Sequence, residues 1–440
     1  MPNANARTVT EHMKAEDEVV DLCRELLRFD TSNPTSNEQA AADWVAEKLR
    51  EVGLQPQLLA AEPGRTNVVA RLPGADRQRQ GLVAHSHLDV VPAVAADWRQ
   101  PPFAGVIADG ELWGRGALDM KSSGAMYLAA VRAYARSGRR PARDVVIAFT
   151  ADEEAGSRLG MAWLVKEQPG LFQNCSDAVS EIGGFSVSLA GDRRLYPIQT
   201  AEKGGVQVVL RASGRAGHAS ILNPDNPIPR LCAAVARLTE AVQPLVYIDA
   251  SRSFLKGVAE LLGQPFDEAQ PELLTRHLES LGPMVESSLR NTIQATIFTA
   301  GYKNNVVPGE AAVRLDCRVV PGHRAGVVEE IERLAGPGIT VEVEMAGDGT
   351  EVPYQGRIVD AMQEALRSED PGAAILPYCM SGGTDGRFLA QIGINAFGFS
   401  PLRLPEGFDF TGLIHSADER VPLEGLRFGA RVFDRFLAVA

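Results

Sequence analysis

Five segments of this chain end an apolar run in residues able to bind a metal or move a proton. The first is His85-Ser86-His87-Leu88-Asp89. His87 and Asp89 stand two residues apart, so both can point to one side of an extended chain. An imidazole ligand commonly has a carboxylate on its other nitrogen, and H-x-D can supply both. Taken alone, a polar turn is the plainer reading. The second segment is Gly114-Arg115-Gly116-Ala117-Leu118-Asp119-Met120-Lys121-Ser122. Asp119 precedes a predicted helix, where capping would be its ordinary role. The glycines suggest a phosphate loop, but Met120 stands where the second glycine of G-x-x-x-x-G-K-[ST] belongs. A tight turn presenting Asp119 fits better. The third is Asp152-Glu153-Glu154 after an apolar strand. Three adjacent acids there are costly unless solvated or neutralised by something positive. The fourth holds Glu181 in Ser180-Glu181-Ile182-Gly183-Gly184, and the fifth holds His415 in Gly412-Leu413-Ile414-His415-Ser416-Ala417-Asp418-Glu419-Arg420.

Each segment is weak alone. Together they place two histidines and several carboxylates at the carboxyl ends of strands in one α/β sheet, where ligands of such sheets gather. Mixed histidine and carboxylate donors without cysteine suit catalytic zinc, with cobalt or manganese as alternatives. The five cysteines, Cys23, Cys175, Cys232, Cys317 and Cys379, are scattered, odd in number and without a C-x-x-C pair. Free thiols in a reducing compartment are expected. The formal net charge of −12 argues against a nucleic-acid partner. Met1 to Asp17 lacks the apolar run of a signal peptide, and no stretch is apolar enough to span a membrane. The expected location is the cytoplasm.

The elements that must position these residues follow from periodicity. Helices are predicted over 16–29, 36–52 (opened by a Ser36/Gln39 capping box) and 122–137. Strands are predicted over 67–72, 82–86, 144–150 and 178–182. Strands alternating with helices predict an α/β layer with a mostly parallel central sheet. Near residue 200 the pattern changes to strand 206–212, helix 228–241, strands 292–298 and 312–319, helix 326–334 and strand 339–345. That is β-α-β-β-α-β, with 248–290 as extra helical material inside it. Helix 356–367, strands near 374–376 and 395–398 and helix 423–437 restore the first pattern. At 440 residues the chain exceeds one ordinary domain. The expected plan is a catalytic α/β domain formed by 1–198 and 349–440, interrupted by an α+β domain, 199–348.

The segments H-S-H-L-D-V-V-P, G-R-G-A-L-D-M-K, T-A-D-E-E-A-G-S, S-E-I-G-G, G-R-A-G-H-A-S, N-N-V-V-P-G-E and S-G-G-T-D-G-R-F together resemble, in this order, the M20 metallopeptidase family. Its members include acetylornithine deacetylases, succinyl-diaminopimelate desuccinylases, aminoacylases and glutamate carboxypeptidases. The resemblance runs from about residue 15 to the C-terminus. It implies two zinc ions per chain, with His87 and Glu181 on one, Glu154 and His415 on the other, and Asp119 bridging. It makes Asp89 the residue that orients His87, and Glu153 the general base. It implies that His218 reaches the partner subunit's active site in a homodimer. Asn305 and Arg387 would bind substrate, and the inserted domain would be a lid and dimerisation domain. Asp418 stands where the family commonly has Asn, and 248–290 would enlarge the lid. The physics agrees. Two cations can share one water, lower its pKa and polarise a carbonyl. Glu153, beside a ligand, is placed to move the proton. An arginine offers a planar fork to a carboxylate.

The expected activity is metal-dependent hydrolysis of an amide or peptide bond next to a free carboxylate, on a small-molecule substrate. N-acyl amino acid deacylation stands first, because a Glu at position 181 accompanies deacylases and carboxypeptidases in the resembling family. Dipeptidase or carboxypeptidase action is the alternative, and a catalytically silent metal-binding dimeric scaffold stands behind both. Glu153 together with all five ligand positions favours catalysis. A nucleotide site at Gly114-Arg115-Gly116 is excluded by the missing spacing.

Overall fold

The computed structural model describes residues 13–34, 37–189 and 193–440. The main sheet has ten strands. Its central members, Val145–Thr150, Gly81–His87, Cys175–Ser180 and Asn395–Gly398, lie side by side and parallel. Every residue of Gly81–His87 and Val145–Thr150 is buried. A parallel strand covered on both faces requires this, and it explains their near-continuous apolar runs. Helix Lys121–Ser137 packs on one face together with Ala15–Leu27 and Leu423–Val439. It ends where Gly138 turns left-handed at φ 67°, a conformation glycine adopts without a Cβ penalty. Among the described residues, no helix is long and apolar enough to cross a membrane.

The second sheet has four antiparallel strands in the order Thr292–Ala300, Glu310–Val319, Gly204–Ser213, Thr340–Ala346. Helices Pro227–Glu240 and Ala325–Ala335 cover one face through Leu231, Leu238, Val327 and Ile331. In chain order this is strand, helix, strand, strand, helix, strand. The chain passes directly from one sheet to the other at Lys203–Gly204 and at Gly347–Gly349, and it crosses twice more on either side of the helices over 249–288. The crossings touch so closely that a Cβ on Gly204 would lie 2.3 Å from the Gly347 carbonyl oxygen.

Three features differ from the sequence expectation. Residues 248–290 do fold as helices, Asp249–Leu262, Glu272–Thr275 and Leu281–Ser288, but they do not enlarge the second core. Phe254, Leu255, Val258, Leu281 and Val285 join the main core, and the first of these helices packs on strand Ala374–Met380. Periodicity announces an apolar stripe without saying which sheet it faces. Strand Arg193–Glu202, buried from Leu195 onward, went unpredicted because Pro197 reads as a breaker. The strand predicted over 178–182 is Cys175–Ser180, which leaves Glu181 just past its end. The capping-box serine, Ser36, lies outside the described residues.

Candidate metal centre

Three of the proposed ligands leave the carboxyl ends of neighbouring strands. His87 ends Gly81–His87, Glu154 follows Val145–Thr150, and Glu181 follows Cys175–Ser180. Asp119 comes from the turn before helix Lys121–Ser137, and His415 from the loop after Phe410–Leu413. That turn needs glycine: Gly116 sits at φ 86° with Val90 so close that a Cβ would lie 2.8 Å from it. The five side chains converge. His87 Nε2 lies 3.0 Å from Asp119 Oδ1 and 3.6 Å from Glu181 Oε2. His415 Nε2 lies 3.2 Å from Asp119 Oδ2 and 3.1 Å from Glu154 Oε1. Asp119 therefore turns one oxygen to the His87/Glu181 pair and the other to the His415/Glu154 pair. Two overlapping triads, His87/Asp119/Glu154 and His87/Glu153/Glu181, each bring their donor atoms within 4.8 Å of one another.

The electrostatics match a cation site. Burial, then the charge of Asp119, pushes Glu181 up to about 8. Burial, then the charge of Glu181, holds Glu153 well above the usual carboxylate range. Hydrogen bonds to Asp119 and Glu154 raise His415 to about 10. Burial opposes protonation of His87, but Asp119 and Glu181 outweigh it and raise its pKa. Burial also opposes ionisation of Asp119, which the two imidazoles nevertheless hold below the usual range. The protein's own charges thus call for positive charge among these groups, and divalent cations would take the place of the shared protons. Two imidazole nitrogens and carboxylate oxygens, with no sulfur, fit zinc and its divalent neighbours.

Further contacts fix the donors. His87 Nδ1 bonds the backbone carbonyl of Asp89 at 2.9 Å. A carbonyl only accepts, so Nδ1 carries the hydrogen and Nε2 keeps its lone pair for a cation. The Asp89 carboxylate, expected to orient His87, stands 3.7 Å from Nδ1. It instead accepts the Glu153 and Glu154 backbone N–H groups at 3.0 Å each, and also the Asn33 side-chain amide. The orienting atom is the carbonyl because those N–H groups, and the Asn33 amide, claim the carboxylate. One layer below, buried His85 bonds Thr150 Oγ1 at 2.8 Å and Ser180 Oγ at 2.9 Å, and pairs with Asp385 at 3.1 Å. It ties together the three strands that carry His87, Glu154 and Glu181.

Glu419 was missed by sequence reasoning. It is 1% exposed. Its Oε1 accepts Leu118 N at 2.7 Å and Asp119 N at 3.1 Å. Its Oε2 accepts the Arg115 guanidinium at 2.7 Å and Gly116 N at 2.9 Å. One carboxylate, four residues after His415, thereby shapes the turn that presents Asp119. The only sequence signal was an acid in a polar stretch, which normally reads as surface.

Among the described residues the remaining candidates form no hydrogen bond or ion pair with the cluster. His218 and Asn305 meet on a two-stranded ribbon, Gly217–His218 against Val306–Val307, and both are exposed. Ala219 N bonds the Asn305 carbonyl at 3.0 Å. Ser220 N donates to His218 Nδ1 at 3.2 Å, which leaves the hydrogen on Nε2. Half-buried Arg387 lies in the first turn of Gly386–Gln391, with its guanidinium 4.7 Å from the centre of the Phe388 ring. Asp385, two residues earlier, places that turn beneath the cluster. Asp418 adopts φ 62°, which Asn and Asp both tolerate, and its carboxylate pairs with Arg99 at 2.7 Å.

Comparison with known proteins identifies the family. The model of peptidase family M20/M25/M40 matches residues 83–439. Aminoacylase-1A of Rattus norvegicus is 26% identical over 98% of this chain and 97% of its own length. Probable carboxypeptidase S-like 2 of Dictyostelium discoideum is 27% identical over 80% of this chain and 70% of its own. Among solved structures, the M20 family metallo-carboxypeptidase Sso-CP2 from Sulfolobus solfataricus superposes with a TM-score of 0.74 at 18% identity, covering 96% of this chain and 99% of its own. Human carnosine dipeptidase 1 gives 0.72 at 16%, covering 99% and 98%. At those identities the structures speak for the fold alone, whereas the family match spans most of the chain, both sheets and every proposed ligand: this protein is a metal-dependent hydrolase belonging to peptidase family M20/M25/M40.

Proposed function

We propose that the chain is a dinuclear zinc amidohydrolase that removes the acyl group from N-acyl amino acids. The observation that carries the reading is the two-sided presentation of Asp119, with one oxygen toward His87 and Glu181 and the other toward His415 and Glu154. Zinc bound by these five residues would supply Lewis acidity, lowering the pKa of a water and polarising the scissile carbonyl. Glu153 takes the proton from the attacking water as its oxygen bonds the carbonyl carbon. Glu153 then passes that proton to the amine nitrogen as the C–N bond breaks. A carboxyl held above its usual range is suited to that exchange near neutrality. Arg387 offers its fork to the substrate carboxylate, and Asn305 binds beside it. The Nε2–H of His218 is a donor for the developing oxyanion of the partner subunit. The exposed edge strand Thr292–Ala300, with Ile297 and Phe298 uncovered, supports a homodimer through the inserted domain. The absence of disulfides among the five cysteines suits the cytoplasm.

The nearly full-length likeness to an aminoacylase supports deacylation. The likeness to a carboxypeptidase S-like protein keeps peptide cleavage as the second reading. Zinc-loaded protein offered N-acetyl amino acids, N-fatty-acyl amino acids and dipeptides decides between them. Turnover of the N-acyl amino acids is expected. Turnover of dipeptides alone would transfer the assignment to peptidase action, and no turnover with metal bound would leave a scaffold.

A further inference from the structure

The main sheet frames a cavity of about 470 Å³ at the amino ends of its central strands. Ser176 and Asn395, at the starts of Cys175–Ser180 and Asn395–Gly398, line it. The metal centre leaves from the carboxyl ends of the same strand group, so the two sites lie at opposite edges of the sheet. Three arginines, Arg79, Arg143 and Arg357, line this cavity beside a single carboxylate, Asp177, in a chain whose formal net charge is −12. Arg143 is 5% exposed and donates to Asp177 at 2.6 Å, to Ser176 Oγ at 3.2 Å and to the Gln80 carbonyl at 3.3 Å, and its buried Nε–H alone has no partner among the described residues. Arg79 and Arg357 form no ion pair or side-chain hydrogen bond among the described residues. Burial, then the charges of Arg143 and Arg357, lowers the pKa of Arg79, and the carboxylates of Asp76 and Asp177 only partly oppose this.

A backbone feature points the same way. Helix Arg357–Glu369, thirteen residues long, opens on the cavity at Gly356, and no side chain caps it. The N–H groups of its first turn carry partial positive charge and lack intrahelical partners, with Asp360 the one acid in that turn. The three arginines and the uncapped helix start outnumber the one carboxylate that lines the cavity, Asp177, and leave positive charge that a bound anion would neutralise. Such an arrangement recognises a compact, multiply charged oxyanion.

We propose that this cavity binds a small phosphate-class dianion, held by the Arg79 and Arg357 guanidiniums and the free N–H groups of the Arg357–Glu369 helix. The ligand is either inorganic phosphate or a phosphomonoester, and both share this chemistry. Titration calorimetry on the metal-loaded protein at constant ionic strength tests it, with inorganic phosphate and glycerol 2-phosphate as probes. Saturable binding is expected, weakened at least tenfold in the Arg79→Ala/Arg357→Ala double variant. Neither side chain belongs to a hydrophobic core or to the metal centre, so the double variant should keep the unliganded melting temperature. Binding should persist in Asp119→Ala, whose metal centre is damaged. Tighter binding of glycerol 2-phosphate identifies the monoester as the preferred source, and tighter binding of phosphate identifies the free ion. Binding that survives in the double variant but disappears in Asp119→Ala belongs to the metal centre and overturns the proposal. The absence of saturable binding by either probe overturns it as well.

Discussion

Glu419 offers the sharpest test of how the centre is held together. Its two oxygens accept three backbone N–H groups and one guanidinium, all in the dry interior. Glu419→Ala leaves those four donors without an acceptor. A buried neutral donor left unmatched costs about 1–3 kcal/mol, and a buried arginine robbed of its partner costs about 3–5 kcal/mol. Even if water enters the hole and recovers part of this, the loss should exceed about 5 kcal/mol, comparable to the whole stability of a domain. The informative variant is therefore Glu419→Gln. Its amide oxygen can still accept two donors, but its NH₂ group faces the other two. Losing two charge-assisted bonds costs about 3–6 kcal/mol. Because one of the four donors is the N–H of Asp119 itself, metal affinity should also fall, by about 10–100-fold as for other supports of metal ligands. Guanidinium unfolding, with and without metal, reads the first effect, and competition against a chromophoric chelator reads the second. A residue that only props the fold would lower stability and leave affinity alone. A Glu419→Gln protein that loses less than about 1 kcal/mol and binds metal normally would refute the reasoning.

Further outcomes are expected. Glu153→Ala should keep its metal by elemental analysis and lose about 10²–10⁴-fold in turnover, the usual cost of a missing general base; near-normal kcat would remove it from that role. Asp119→Ala should reduce metal content at both positions and His415→Ala at one, because only Asp119 faces both ligand pairs; equal losses would argue against bridging. His415 is raised from 6.5 to about 10 and Glu181 from 4.5 to about 8, so before metal binds both hold a proton at pH 7. Binding at pH 7 should then release protons, with His87, also raised, adding to these two groups; calorimetry in buffers of different ionisation enthalpy reads the release, and zero release would contradict those shifts. The same signs make the chelated protein lose stability as pH rises, through Glu181 between 4.5 and about 8 and through His415 between 6.5 and about 10. Mixing inactive Glu153→Ala chains with inactive His218→Ala chains should restore activity in mixed dimers, where one site carries neither defect; proven mixed dimers without recovery would confine His218 to its own chain or to no role.

The sequence made some features plain and hid others for physical reasons. His87, Glu154 and Glu181 were readable because each stands just past an apolar strand, and a parallel sheet presents such ends together. The ten-residue strands of the second sheet were readable through alternation, as in Val206, Val208, Leu210 and Ala212, all buried on one side. What stayed hidden were contacts that no local pattern encodes. Glu419 grips a turn some 300 positions earlier in the chain, and its neighbours Asp418 and Arg420 give it the look of a solvated surface turn. Whether His87 would bond the carbonyl or the carboxylate of Asp89 depends on where the Glu153–Glu154 backbone arrives. Helix Asp249–Leu262 showed its apolar stripe but not the strand it covers, since a stripe of Phe254, Leu255 and Val258 would suit either sheet.

The placement of these residues divides the chemistry between two bodies. The five proposed ligands and Glu153 are held about the main sheet, and the His85 network bonds three of its strands one layer below. Their spacing is thus set by buried hydrogen bonds and resists distortion when charge changes at the centre. His218 and Asn305 ride on an exposed two-stranded ribbon beside the second sheet, and the chain crosses between the two bodies at Lys203–Gly204, at Gly347–Gly349 and on either side of the helices over 249–288. Lys203 anchors one crossing, since its ammonium donates to the carbonyls of Ser287 and Arg290 at 3.0 and 2.8 Å. A donor for an oxyanion must meet the reacting carbonyl within hydrogen-bond reach. No contact joins His218 to the ligand cluster among the described residues, so any such meeting must come from another copy of the chain or from movement about those crossings. The subunit-mixing experiment therefore reads more than the role of one histidine. Recovery would make assembly a condition of catalysis, and its absence would leave the crossings as the place where the second body has to turn.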